Sequence, residues 1–407
     1  MFDIYTQRKD LPVMKKKSLI LLLSLVLSCT VLAGCGKDAE ELISPIIPEE
    51  SSTVVASSNP TSEETVSSGD VRTADAGVED ANAQRTTEKV EEVVIDYDKM
   101  YRSELTNEWI DKTIQNQRPV AIMVDNEVTA LDHYGVSQAD IVYEMMNSTA
   151  NDEVTRLMCI VKDWGSITRF GSIRSVRPTN FMIAPEYNAV VIHDGGPFYI
   201  NDYLANPWVY NLSGGFARIE NGKAREFTEY VTTGEIASRM KARGYSTEYN
   251  SYYQGQQWQF ADETAPVNLA DVYNSKDCTL VDLPFKHNGS QLDYDAASNT
   301  YLYSEYGRKH IDPENDNTQL AFTNVIIQCA ELTQLDINGY MRFEVQNNSG
   351  SGYYITGGKS IPVTWKKGNA IDATTFYDAN GEEITLNTGK TYIALVASYR
   401  WGELVLK

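Results

Sequence analysis

Arg118-Pro-Val-Ala-Ile-Met-Val-Asp-Asn126 is a short apolar run that a polar pair ends abruptly, and it reads as a buried strand. Working outward, residues 139–144 and 154–161 have the same apolar character and predict two further strands. The first of these also fits a helix start capped by Ser137. After Pro178 the spacing predicts a helix over 179–184. Residues 189–192 predict a strand that runs straight into His193-Asp-Gly-Gly-Pro197. Residues 234–243 predict a helix with Ile236, Ala237 and Met240 on its apolar side, stopped by Gly244. Strands alternating with helices predict an α/β domain over residues 97–265.

The second half changes character. Residues 279–283, 301–306, 321–329, 340–345, 352–356, 361–365 and 391–396 are strand-like, and Asn338-Gly339 and Asn380-Gly381 are hairpin signals. The expectation is an α/β N-terminal domain followed by a smaller, mostly β C-terminal domain over 275–407. The Gln- and Tyr-rich stretch over 249–259 fits either a surface loop or the junction.

The N-terminus is of another kind. Lys15-Lys16-Lys17 precede an apolar run that ends at Leu32-Ala33-Gly34-Cys35. A basic start, an apolar core too short for a comfortable span and small residues before a cysteine form a secretion signal. The segment resembles a bacterial lipoprotein signal, so Cys35 is the expected lipidation site and residues 1–34 the expected signal peptide. The true start stays open between Met1 and Met14. Residues 36–95 hold no aromatic residue, whereas 10% of the whole chain is aromatic, and 14 acidic side chains there oppose 4 basic ones. Such a segment cannot bury enough apolar surface to offset its ordering entropy, so residues 35–96 are expected to be a disordered acidic tether.

The chain has 407 residues and net charge −21. Beyond residue 34 it carries 30 basic against 54 acidic side chains, a net −24 whose long-range field argues against general binding of nucleic acid or anionic membrane, although a local basic patch can still bind an anion. Apart from Cys29 in the signal and Cys35, the cysteines are Cys159, Cys278 and Cys329. They read as buried free thiols, with a Cys278–Cys329 disulfide the lesser option. The four histidines lack zinc-ligand spacing, so neither a metal nor another cofactor is expected.

One segment departs from the acidic background. Arg156, Lys162, Arg169, Arg174 and Arg177 are opposed only by Asp163, a local excess of four positive charges. At its centre, Ser172-Ile-Arg-Ser-Val-Arg-Pro178 sets two arginines three apart. Guanidinium forks offer paired, fixed donors that suit phosphate or carboxylate oxygens, so Arg156, Arg174 and Arg177 are the candidate ligand-binding residues. The plain alternative is that they neutralise internal carboxylates. Asp125, His193 and Asp194 are the catalytic candidates, because polar side chains at strand ends next to paired glycines can move protons. No Gly-x-Ser-x-Gly elbow, His-Glu-x-x-His or phosphate loop is present.

Together, the 118–126 run, Gly135-Val-Ser-Gln-Ala-Asp-Ile-Val-Tyr-Glu144, Val154-Thr-Arg156 and Ser172–Pro178 resemble the YerB-like lipoproteins of Firmicutes, a family catalogued as a domain of unknown function, DUF3048. His193-Asp-Gly-Gly196 resembles the family's His-x-Gly-Gly step. Val363-Thr-Trp-Lys-Lys367, Thr375-Phe-Tyr-Asp378, Gly381 and Thr388-Gly-Lys-Thr391 are similar to its second domain. One step departs: the family has Gly-Gly-Ile-Thr-Arg where this chain has Asn151-Asp-Glu-Val-Thr-Arg156. The resemblance implies two domains and lipid anchoring at the outer face of a Gram-positive membrane, and it supplies no reaction. The expected role is binding of an anionic cell-wall polymer or an envelope protein. The alternatives are an envelope enzyme acting on a phosphorylated or glycan substrate, and a purely structural protein.

Overall fold

The computed structural model describes residues 96–407. The signal, Cys35 and all but the last residue of the expected tether lie outside the described residues. Val120–Asp125 is a strand buried at every position. Its side chains alternate between two cores, with Val120, Ile122 and Val124 in one and Ala121 and Met123 in the other. Ile141–Met146 and Thr155–Val161 are buried throughout in the same way. Burying one such side chain contributes about 1.5–3 kcal/mol, so a strand apolar on both faces demands cover on both.

These strands belong to a sheet of eleven. Val120–Asp125 pairs antiparallel with Thr155–Val161 and parallel with Val190–His193, which is flanked in parallel by Tyr210–Ser213. Thr155–Val161 pairs antiparallel with Ile141–Met146. Beyond that come Thr391–Ala397 and Asn324–Ala330 in parallel, then Asn348–Thr356 and Lys359–Lys367 as an antiparallel hairpin. The sheet therefore runs without a break from the first half of the chain into the second. The Thr391–Ala397 strand, near the C-terminus, is the seam.

One face is covered by the short Pro178–Ile183 helix, through Phe181, Met182 and Ile183, together with Trp258, Leu269 and Phe343. Against the other packs a six-stranded sheet that includes Leu280–Asp282, Gln291–Asp295 and Thr300–Glu305, through Val281, Leu292, Tyr301 and Tyr303. The Glu235–Arg243 helix adds Ile236 and Met240 to that second core.

The expected α/β domain is not what forms. Among the described residues the α-helices span only six, four and nine residues, and strands over several sheets make up most of the regular structure. The physical reason lies in the cover. Unbroken apolar strands are the mark of a sheet buried on both sides, which is usually a parallel sheet flanked by helices. Here a second sheet and irregular chain supply the cover instead, and Thr155–Val161 runs antiparallel to both of its neighbours. Individual elements still fall where expected: the helices at Pro178–Ile183 and Glu235–Arg243 form, and Gly244 ends the second with φ 66°. Asn338-Gly339 lies in the turn joining Leu332–Gln334 to Met341–Phe343. Cys159, Cys278 and Cys329 are free thiols.

Candidate functional site

Sheet register sets Asp125 directly opposite Arg156. The 172–177 segment then runs along the end of the same strand. The Asp125 N–H donates to the Ser172 carbonyl at 3.1 Å, and the Arg174 N–H donates to that of Met123 at 3.0 Å. Two more backbone bonds, Val176 N–H to Gly195 and Asp194 N–H to Arg174, each 3.1 Å, tie this segment to the glycine loop after Val190–His193. Residues distant in sequence thus meet at one sheet end because three chain segments share main-chain hydrogen bonds there.

Arg156, Arg174 and Arg177 surround Asp125 unequally. Arg174 donates from Nε to Asp125 Oδ2 at 2.5 Å and pairs through Nη2 with Glu226 at 3.0 Å. Arg156 is 3.9 Å from Asp125 and spends Nη1 on Asn147 Oδ1 at 2.8 Å and the Ser175 carbonyl at 2.5 Å, while its Nε has no partner. Arg177 forms no ion pair among the described residues. It donates to the carbonyls of Asn147 at 2.9 Å and Val176 at 3.0 Å and stacks over the Tyr340 ring at 4.8 Å. Arg156 and Arg177 are buried, and Arg174 keeps 27% of its side chain exposed at the mouth of the cluster.

Charge in this cluster is not balanced. Burial, then repulsion from Arg156, pushes Arg177 down to about 9, and burial brings Arg156 to about 10. Burial also works against Arg174, but Asp125 and Glu226 outweigh it and hold its guanidinium above the ordinary value. Arg174 and Arg156 reach the buried Asp125, Arg174 alone pairs with the half-exposed Glu226, and Arg177 pairs with neither carboxylate. Next to Arg177, an open groove of about 500 Å³ begins at Pro178 and is walled by Phe198, Tyr199, Trp208 and Arg342.

The other two catalytic candidates sit apart in their side chains. His193 is buried, with Nδ1 on the Gly195 carbonyl at 2.8 Å and Nε2 on Asn211 Nδ2 at 3.1 Å, which fixes the tautomer with the proton on Nδ1. Burial lowers its pKa, and Phe181 lies edge-on to the ring. Asp194 pairs with Arg218 at 3.5 Å, an arginine that also holds the buried Glu229. Asp125, by contrast, lies inside the arginine cluster.

The step that departs from the pattern the resemblance implies lies on unusual backbone. Asp152 and Glu153, which stand where the resemblance places the two glycines, have φ of 52° and 64°. That left-handed region suits glycine and strains other residues by about 1–2 kcal/mol each. Here Glu153 pairs with Arg400 at 2.8 Å and accepts from Tyr399 at 3.1 Å, contacts that help hold the strained turn.

A second polar cluster was invisible to spacing rules. His133, Glu305 and His310 are all buried, with donor atoms within 4.8 Å of one another. His310 Nδ1 lies 2.7 Å from Glu305 Oε1, and the two imidazole centroids are 4.9 Å apart. Beside them Glu144, fully buried, accepts from Thr155, Ser290, Tyr303 and Tyr392 at 2.5–2.8 Å and from Asn126 at 3.3 Å. Burial and the neighbouring Glu305 raise its pKa. The usable signal was a glutamate inside the apolar strand Ile141–Met146 and another at an inward position ending the alternating strand Thr300–Glu305.

A mixed sheet with a second sheet at its back, bearing an arginine-rich segment at the end of the first strand, defines the class of protein. The chain belongs to the DUF3048 family: the model described as "Protein of unknown function (DUF3048) N-terminal domain" matches residues 105–246, and that for the DUF3048 C-terminal domain matches residues 281–393. It is similar to "Putative lipoprotein YerB" of Bacillus subtilis (strain 168), at 23% identity over 318 residues, 75% of this chain and 89% of that protein. The crystal structure of the YerB protein from Bacillus subtilis shares the fold, with a TM-score of 0.63 and 19% identity over 75% of this chain and 99% of that one.

Proposed function

We propose that this chain is a lipid-anchored protein at the extracytoplasmic face of the cell membrane that binds an anionic group of an envelope polymer or partner through Arg156, Arg174 and Arg177. The observation that carries this reading is Arg177, a buried guanidinium with only carbonyl oxygens and an aromatic ring as partners. A buried charge without an opposite charge is costly, and a phosphate or carboxylate bridging Arg156 and Arg177 would remove that cost. Arg174 is the accessible entry, and Glu226 occupies the position an incoming anion would take on it. The neighbouring aromatic groove offers stacking surface for sugar rings attached to such an anion.

The test is a titration of teichoic polymer and wall fragments against wild type, Arg174→Ala and Arg177→Ala, with melting curves alongside. Each variant should weaken binding by on the order of 1–3 kcal/mol, and lysine at either place should restore only part, since a point charge does not reproduce a planar fork. Lost stability with unchanged binding would sink the proposal in favour of a structural role. The anchor has its own check: Cys35→Ala should abolish palmitate labelling and membrane retention, and unchanged retention would remove it.

A further inference from the structure

We infer that His133, His310 and Glu305 hold a divalent transition-metal ion of the zinc type, clamping the small sheet to the central one. His133 lies in the connection between the Val120–Asp125 and Ile141–Met146 strands, whereas Glu305 ends a strand of the six-stranded sheet and His310 follows the next. Two imidazoles and a carboxylate form a donor set that zinc accepts readily. Their donor atoms lie within 4.8 Å of one another. A tetrahedral site with bonds of about 2.0–2.1 Å has edges of about 3.3–3.5 Å, so small side-chain rotations suffice to close it.

Two further observations point the same way. His310 Nε2 and at least one ring nitrogen of His133, whose other polar neighbour is the Asp125 backbone, are buried without a side-chain hydrogen-bond partner. Buried polar atoms in native proteins are almost always paired, and an unpaired nitrogen on each of two histidines beside one carboxylate calls for a common partner. The second observation concerns charge. Glu144 and Glu305 are both fully buried, and the donors to Glu144 are all neutral hydroxyl or amide groups. Lys223 and Arg308, the cations acting on His133, are engaged elsewhere: Lys223 with the Ala130 and Leu131 carbonyls, Arg308 with Asp132 at 3.7 Å. A divalent cation would balance this acidic interior.

The surroundings supply the outer support that metal ligands need. Glu305 Oε2 also accepts from Asn288 Nδ2 at 3.3 Å, which helps hold the carboxylate in place. All three ligand residues are at most 3% exposed. A closed site of this kind is structural: the ion enters as the chain folds and ties His133 of the long connection to the sheet beneath it.

The experiment uses the full chain, unfolded in chelator, refolded without metal and titrated with Zn2+ and, separately, Co2+. Wild type should take up one equivalent, gain thermal stability with Zn2+, and show the visible absorption of tetrahedral Co2+. His133→Gln and His310→Gln should each weaken binding at least about tenfold and lose the thermal gain. If either variant fails to refold, X-ray absorption on zinc-loaded wild type decides, with nitrogen and oxygen neighbours expected. No uptake by wild type, variants that bind like wild type, or a sulfur neighbour to the zinc would each overturn the inference.

Discussion

The two polar clusters bury charge in opposite senses. Around Asp125 three guanidinium groups outnumber the carboxylates, and the cluster opens to solvent at Arg174. Around Glu144 and Glu305 there are two carboxylates and two histidines, closed on all sides. Both lie at the end of the Val120–Asp125 and Thr155–Val161 strands, one through Asp125 and Arg156, the other through Asn126 and Thr155. Adjacent residues therefore serve an open cationic site and a sealed acidic one. An open cluster tolerates imbalance because an external ion can correct it; a sealed one must be corrected from within, by protons or a resident cation.

The contrast breaks most sharply at Glu144. Glu144→Ala should cost about 3–5 kcal/mol in denaturant unfolding, because five buried donors lose their acceptor together. Glu144→Gln should cost clearly less, since its amide oxygen still accepts. A loss within about 0.5 kcal/mol of wild type for the alanine variant would show that this interior is wetter than its burial implies. On the open side a far smaller change should have the other sign. Glu226→Gln removes a half-exposed competitor from Arg174 and should tighten anion binding by about 0.2–1 kcal/mol with stability almost unchanged. Weaker binding in that variant would mean that Glu226 positions Arg174 instead of guarding it.

Much of the open site was legible before the fold was known, because a run of arginines against an acidic background is a local signal and Pro178 marks where the segment turns. Register then explained why Arg156 joins it. The sealed cluster was not legible, since His133, Glu305 and His310 meet only through packing of two sheets and share no spacing. Fold class failed for a related reason. The apolar runs correctly announced strands buried on both faces, but nothing in Val120–Asp125 tells whether a helix or another sheet will cover it. Asp152 and Glu153 show the converse: side chains other than the glycines the resemblance implies, on a backbone in the conformation that glycine prefers.

The seam strand has a consequence for how the molecule comes into being. Thr391–Ala397 fills the slot between Ile141–Met146 and Asn324–Ala330, so neither family-matched stretch can complete the sheet while that last segment is still being synthesised or delivered. Without it, Ile141–Met146 and Asn324–Ala330 would each present an unpaired edge, the kind of edge that invites aggregation. Because the partners lie far apart along the chain, closure is intrinsically slow. The two family-matched stretches thus share one strand as their common boundary, and neither closes its part of the sheet without it.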